Sequence, residues 1–439
     1  MTPLSPRILA RAVAAATAAA ALAPAAAHAE TVPGEVVVSY RAPAHATAAR
    51  VAAAHAPQVL RHVGDVPATV RRLRARPDVR YAVPNVVARA AQAFVPDDPG
   101  RGTTPGRWAA VQWNFAGPAG VNAPDAWGHL IAAGRPGGQG VKVAVLDTGV
   151  AYRRFGRTPA SPDLAGTRFV AGHDFVGDDA FANDRNGHGT HVASTIAEAT
   201  NNGIGLTGLA YGASIMPVKV LDDTGEGDAT VIAKGVRFAA AHGAKVINLS
   251  LEFGSDIGWR QIPQLIDAMA EAHRRGAVVV AASGNEGDTA VAYPARNGNV
   301  LSVGSTTEHG CLSDFSNQGA GLDLVAPGGG PDAPLDDPGC TPSGKDGRNI
   351  AQMTLVGVHK TSFGIPRGYQ GTSMAVPHVS ATAALVIASG VLGADPSPQA
   401  VERRLEATAR DLGPVGYDTR YGFGLVDAAA ATDPSVAVS

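Results

Sequence analysis

The sequence predicts an α/β fold, a parallel sheet flanked by helices, preceded by a small α+β domain. Three observations carry that expectation. Continuous apolar runs recur at 141–146, 215–221, 245–251, 278–282 and 300–303, as strands buried on both faces require. Helix-length stretches lie between them, at 188–199, 228–242 and 259–275, and that alternation makes βαβ units. A cluster of Pro and Gly at 96–106 separates this region from a shorter one before it.

Taken in order, residues 1–29 are not fold. Arg7 and Arg11 precede an apolar run at 12–27, and Ala27-His28-Ala29 fits a small-x-small cleavage site. The run is short, mostly alanine and broken by Pro24, whereas a spanning helix needs about 20 apolar residues. No cysteine precedes Cys311, so a lipid anchor near the start is not expected either. The chain is therefore expected to be exported and secreted, free of the membrane. In that oxidising setting Cys311 and Cys340 are expected to pair.

Residues 30–90 form the small domain. It opens with the strand-like Glu35-Val36-Val37-Val38-Ser39-Tyr40 and closes with a run from Val79 to Val87, with helical spacing between. Its nine arginines, no lysine and four acids make a basic face, which is either plain solvated surface or a dock for something acidic. Residues 91–107 read as an exposed linker, 108–431 as the main domain and 432–439 as a short tail. Two further helices are expected at 373–389 and 397–410, the second opened by Ser397-Pro398 as cap and first-turn residue.

Composition removes several classes of function. The 439 residues allow two or three domains at roughly 100–200 each. A net charge of −2 argues against a nucleic-acid partner. With 45% hydrophobic residues the chain fills a sizeable core and is not disordered. Two cysteines are too few for an iron–sulfur cluster or a four-cysteine zinc site.

Three motifs carry chemistry. Val145-Leu146-Asp147-Thr148-Gly149 puts a carboxylate at the end of a buried strand. Asn186-Gly187-His188-Gly189-Thr190-His191 and Gly371-Thr372-Ser373-Met374-Ala375 each stand at a helix start. Strand C-termini and helix N-termini share one edge of a parallel sheet, so all three can meet there. Together Ser, His and Asp offer a nucleophile, a base for its proton and an anion to orient that base. A fourth motif, Ala281-Ala282-Ser283-Gly284-Asn285, supplies an amide donor for negative charge on a carbonyl oxygen. Taken singly, Asp147 and Asn285 also read as turn residues, Ser373 as a helix cap, and His188 with His191 as a metal pair lacking a third ligand.

These motifs resemble those of the subtilisin-like serine peptidases, in that family's order of Asp, His and Ser, over about 108–431. The resemblance implies the subtilisin-like parallel sheet and a serine endopeptidase acting on protein or peptide substrates, expected as a monomer. Asp147, His188 and Ser373 are then the triad and Asn285 the oxyanion donor. By the same resemblance a substrate strand lies between Gly225-Glu226-Gly227 and Ser250-Leu251-Glu252-Phe253, with Ala282, Ser283, Gly284 and Tyr293 also at the substrate site. Glu252 and Phe253 depart from the family, which usually has two glycines there. Glu252 either attracts basic side chains or faces water.

The resemblance also implies a structural calcium ion held by Asp163, Thr200, Asn202, Ile204 and Leu206, with Gln112 as a further oxygen donor. Residues 30–90 become a pro-domain, a folding aid and inhibitor, with the maturation bond between Ala90 and Trp108. Two matches mislead. Gly203, Gly205 and Gly208 fit a dinucleotide fingerprint but follow a helix rather than a strand. Asp-Thr-Gly at Asp147 and Asp223 imitates an aspartic peptidase, whose fold shows no βαβ pattern. A catalytically silent peptide-binding protein on the same fold is the rival, and the complete set of Asp147, His188, Asn285 and Ser373 argues against it, since a silent relative usually lacks one of the four. An α/β-hydrolase would need Gly two residues after the serine, where Ala375 stands.

Overall fold

Two units follow one another along the chain, one up to Ala90 and one from Ala91 onward. The computed structural model describes residues 31–86, 94–335, 337–342 and 346–438. The expected leader, 1–29, and the end of the expected strand at Val87 lie outside them.

In the first unit Thr31–Tyr40 (β1) runs between Gln58–Leu60 (β2) and Val79–Val86 (β3), antiparallel to both. The helix Val66–Arg74 starts where Asp65 accepts a hydrogen bond from the Ala68 N–H at 2.8 Å, with Pro67 in its first turn. Val70 and Leu73 on its inner face meet Val36 and Val38 of β1 and Val79 and Ala82 of β3. Arg71, Arg72 and Arg74 are exposed. This is the small α+β domain expected.

The second unit holds an eight-stranded sheet whose strand pairs are all parallel. Its strands are Lys142–Asp147 (β4), Arg168–Phe169 (β5), His173–Asp174 (β6), Ser214–Lys219 (β7), Val246–Leu249 (β8), Val278–Ala282 (β9), Leu301–Thr306 (β10) and Leu324–Pro327 (β11). The order is β11-β10-β9-β8-β4-β7-β5, with β6 also paired to β7. The chain goes from β4 to one side and returns to build β8 on the other. A crevice opens at such a reversal, outside the carboxyl ends of the strands.

Helices cover both faces. Ala123–Ala132, His188–Ala197 and Thr372–Ser389 lie in one apolar cluster, while Ala229–Ala241 and Pro263–Arg274 lie in the other. Thr372–Ser389 is long and apolar enough to cross a membrane, but most of it is buried inside the protein. The helix expected at 259–275 is split. Trp259–Gln261 is a single 3-10 turn, and Pro263, which has no N–H to donate, begins a new helix. The short strands β5 and β6 and the edge strand β11 have too few residues for a periodic signal.

Residues 94–107 differ from the expected linker. The Asp98 carboxylate is fully buried and accepts from the backbone N–H groups of Asn201 and Asn202 at 2.8 and 2.9 Å. The Gly100 N–H donates to the Gly205 carbonyl, and the Trp108 indole donates to the Pro96 carbonyl. Only 101–105 are continuously exposed. The Pro and Gly residues here bend a segment that belongs to the second unit.

Cys311 and Cys340 form a disulfide. Closing a loop with 29 residues of sequence separation restricts the unfolded chain, which corresponds to roughly 3–4 kcal/mol in the chain-entropy treatment. Cys340→Ser with Cys311→Ser is therefore expected to lower unfolding free energy by about 2–4 kcal/mol. Denaturant unfolding of the two proteins under non-reducing conditions checks this.

Candidate active site

Asp147 ends β4, beside the reversal of strand order, with no exposed surface. Its Oδ1 accepts from the Thr148 N–H at 2.7 Å and from His188 Nδ1 at 2.8 Å. His188 is the first residue of its helix. A side chain at Gly189 would collide with the Gly149 carbonyl oxygen and approach Asp147 Oδ1. Glycine is what lets the helix start come this close to the strand end.

Asp184 holds that helix start in place. Its buried carboxylate accepts five hydrogen bonds, from the Thr148 hydroxyl, the N–H groups of Asn186, Gly187 and Thr190, and the Thr190 hydroxyl. Sequence reasoning missed it, although an acid shortly before a helix is a capping signal. Among the described residues His191 belongs to no group of three side chains that could hold a metal ion. It stacks on Tyr369 at 4.2 Å between ring centroids and meets the Ile350 carbonyl, and burial drops its pKa to about 3.

Ser373 is the second residue of the helix Thr372–Ser389. Its hydroxyl donates to the Ser250 carbonyl at 3.2 Å, and the Ser250 hydroxyl donates to the Ser373 carbonyl at 2.8 Å. Asn248 donates to Ser250 and accepts from Ser380, which ties the surroundings of Ser373 into the core. Among the described residues no hydrogen bond joins Ser373 to His188, yet both line the same two cavities. Such contacts commonly tighten only with substrate present.

Asn285 follows β9. Its Oδ1 accepts from the Thr372 N–H at 2.8 Å and the Thr372 hydroxyl at 3.1 Å. Those bonds turn the amide NH₂ the other way, where it donates to Glu252 Oε1 at 2.9 Å. The motifs expected to meet at one edge of the sheet do meet there.

A groove of about 590 Å³ leads away from Ser373 and His188. Gly225, Glu226 and Gly227 line it together with Ser250, Leu251, Glu252 and Phe253. Ala282, Ser283 and Gly284 are buried behind it, where Ser283 bonds to Val303 and Asn317. Tyr293 contributes its carbonyl, which accepts from the Phe253 N–H at 2.8 Å. Asp223, the second Asp-Thr-Gly acid, pairs with Lys219 and Arg185 on the surface and plays no part with Asp147.

The chain's relatives can now be compared with this geometry. Residues 138–424 match the subtilase family. The chain belongs to the subtilase family. Residues 17–85 match the fervidolysin N-terminal prodomain. The subtilase is 37% identical over 312 residues to thermitase of Thermoactinomyces vulgaris, covering 71% of this chain and 93% of thermitase. It is 41% identical over 297 residues to subtilisin Savinase of Lederbergia lenta, covering 67% and 91%. A solved protease of Pseudoalteromonas arctica superposes with a TM-score of 0.62 at 30% identity, over 77% of this chain and 99% of that one. The protein is a subtilisin-type serine peptidase with a prodomain.

Away from the groove, acids and amides gather at the loop after the helix His188–Ala197. Asp163 accepts from the Asn202 side chain at 3.0 Å and from the Leu206 N–H at 2.8 Å, and burial raises its pKa to about 7. Asp98, which sequence reasoning passed over inside its Pro/Gly stretch, binds the same loop and adds negative charge beside Asp163. Glu198 is fully buried, and among the described residues neither of its carboxylate oxygens has a hydrogen-bond partner. Burial and the Asp163 charge push it well above the ordinary carboxylate range. Gln112 is tied to the same loop, where its amide oxygen accepts from the Thr207 N–H and its NH₂ donates to the Thr207 carbonyl. The Thr200 hydroxyl donates to the Glu198 backbone carbonyl and meets the Thr207 hydroxyl, Ile204 is exposed and Leu206 is buried.

Burial opposes a charged His188 imidazole, but the charge and hydrogen bond of Asp147, with Asp184 adding to them, raise it above the ordinary value of about 6.5. Histidine accepts a proton only when neutral, so activity needs a pH above that raised value. Hydrolysis of an uncharged peptide is expected to rise with pH through a midpoint above about 6.5. Measuring kcat/KM against pH checks it, and a maximum near pH 4 would point to carboxylate chemistry instead.

Proposed function

We propose that Ser373 is the nucleophile of an exported endopeptidase that processes its own precursor. Neutral His188 takes the Ser373 proton as the hydroxyl attacks the peptide carbonyl carbon, and later gives it to the leaving amine. Asp147 fixes the imidazole tautomer and stabilises its charged form. The tetrahedral oxyanion is met by the Asn285 amide, a contribution of order 10²–10³ in rate where such a donor has been removed. The observation that carries this reading is the 2.8 Å bond from His188 Nδ1 to buried Asp147, with Ser373 lining the same cavity as His188.

The prodomain acts as inhibitor and folding aid, and its removal is the first turnover. Because Asp98 is anchored in the second unit, the bond cut is expected at or just before Phe94, within the Ala90–Trp108 interval. Tethering raises effective concentration, so the cut is intramolecular. Ser373→Ala is expected to fold, lose residues 1–29 and accumulate with a start near Glu30, while the unsubstituted protein starts near Phe94. N-terminal sequencing from a host without secreted peptidases checks this. A fluorophosphonate label should appear only on the unsubstituted protein; equal N-termini would overturn the role of Ser373.

Calcium has a structural role in this proposal. Buried Asp98 and Asp163, with the Asn202 amide oxygen and loop carbonyls, suit a hard cation that takes six to eight oxygens. Among the described residues no cluster of three or more acid, His or Cys side chains could hold the ion alone, so backbone and amide oxygens would complete the shell. Bound calcium neutralises acids that burial otherwise penalises. Chelation is expected to lower the unfolding temperature, with about 2.7 kcal/mol at stake when calcium is 100-fold above its Kd. Asp163→Asn should abolish the calcium-dependent shift. Calorimetry with and without calcium measures both, and immediate loss of turnover at unchanged fold would implicate a catalytic metal.

A further inference from the structure

Glu252 stands where the groove meets the oxyanion site. Its Oε1 takes the Asn285 Nδ2 hydrogen bond at 2.9 Å, while Oε2 is buried and among the described residues has no partner. The exposed neighbour Glu286 adds like charge, and burial raises the Glu252 pKa, an environment short of compensation for a carboxylate. A second acid, Glu226, lines the same groove, and among the described residues His188 is the only basic side chain on its walls.

Two consequences follow from elementary electrostatics. A carboxylate on the Asn285 amide takes one of its two N–H donors and holds the NH₂ toward Glu252 instead of leaving it free to turn to an oxyanion. Its charge also repels the negative charge that develops there, by an amount worth more than about tenfold in rate at the effective dielectric of a partly buried site. The resting contact therefore opposes catalysis. A positively charged substrate group would give Glu252 the partner that the protein withholds, and would draw the carboxylate off the amide.

We propose that Glu252 is a latch on the Asn285 donor which a Lys or Arg side chain, N-terminal to the scissile bond, opens on binding. This rests on the reading of Asn285 as oxyanion donor and Ser373 as nucleophile. It goes beyond a groove that merely attracts cations, because attraction alone strengthens binding, whereas the latch makes the preference appear in kcat. A neutral substrate binds but meets a donor still engaged. Phe253, held by the Tyr293 carbonyl, keeps the latch segment in place.

The test compares the unsubstituted enzyme, Glu252→Ala and Glu252→Gln on two peptides that differ only in Lys or Leu before the cut. Each preparation is first titrated with a fluorophosphonate, so that rates refer to reactive serine. Glu252→Ala is expected to raise kcat on the Leu peptide about tenfold, while kcat/KM on the Lys peptide falls by a similar factor. Glu252→Gln keeps the shape and an acceptor but no charge, so it loses the Lys preference and gains less on the Leu peptide. It also serves if the alanine variant fails to fold. An unchanged kcat on the Leu peptide in Glu252→Ala overturns the latch, even if the Lys preference falls. A Lys preference that survives in either variant overturns it as well. If the unsubstituted enzyme does not titrate, the assignment of Ser373 fails and the latch falls with it.

Discussion

An ionised carboxylate with no exposure is costly unless donors fixed in advance meet it, because water cannot reach it. Asp147 at the end of β4 imposes that requirement, and the site around it can be traced from there. Its Oδ1 receives Thr148 and His188. Holding His188 needs a helix that starts against the strand, which requires glycine at 189 and a second buried acid, Asp184, to gather the loose N–H groups. The sheet reversal at β4 gives the crevice its position, and the next two strands in the order, β8 and β9, end in the residues that face it.

The helix carrying Ser373 obeys the complementary constraint. It is buried for most of its length and held in the same cluster as the helix of His188. Ser250, Asn248 and Ser380 cross-link its first turns to β8. Ser373 and His188, the nucleophile and base proposed above, therefore ride on two rigid elements of one core, which is how a static scaffold keeps reacting atoms within reach.

Much of this was legible in the sequence because the signals were local. Buried parallel strands read as apolar runs, and the strand at 278–282 coincides with β9 at both ends. Motifs on strand ends and helix starts were found because glycine and the reactive residue adjoin one another. Apart from Asp184, whose capping signal is local, what escaped was non-local. Asp98 looks like loop filler until the chain folds it against residues 201 and 202, about a hundred positions away. The use of Gln112 by Thr207 and the contact between Glu252 and Asn285 are tertiary facts of the same kind. The strands β5 and β6, two residues each, are too short for any periodicity to register.

The helix Thr372–Ser389 has an implication beyond the folded state. If the chain is exported as proposed, it meets a bilayer before it has a core, and this segment, 18 residues of mean hydropathy 1.3, passes the translocation channel unfolded. A more apolar version would halt there and partition sideways into lipid. Ser373, His378, Ser380 and Thr382 dilute its hydrophobicity, and in the folded protein Ser380 and Thr382 are hydrogen-bonded to Asn248 and to the His378 carbonyl. On that reading, the same polar side chains that moor the helix of Ser373 also keep it a passenger rather than an anchor during transit.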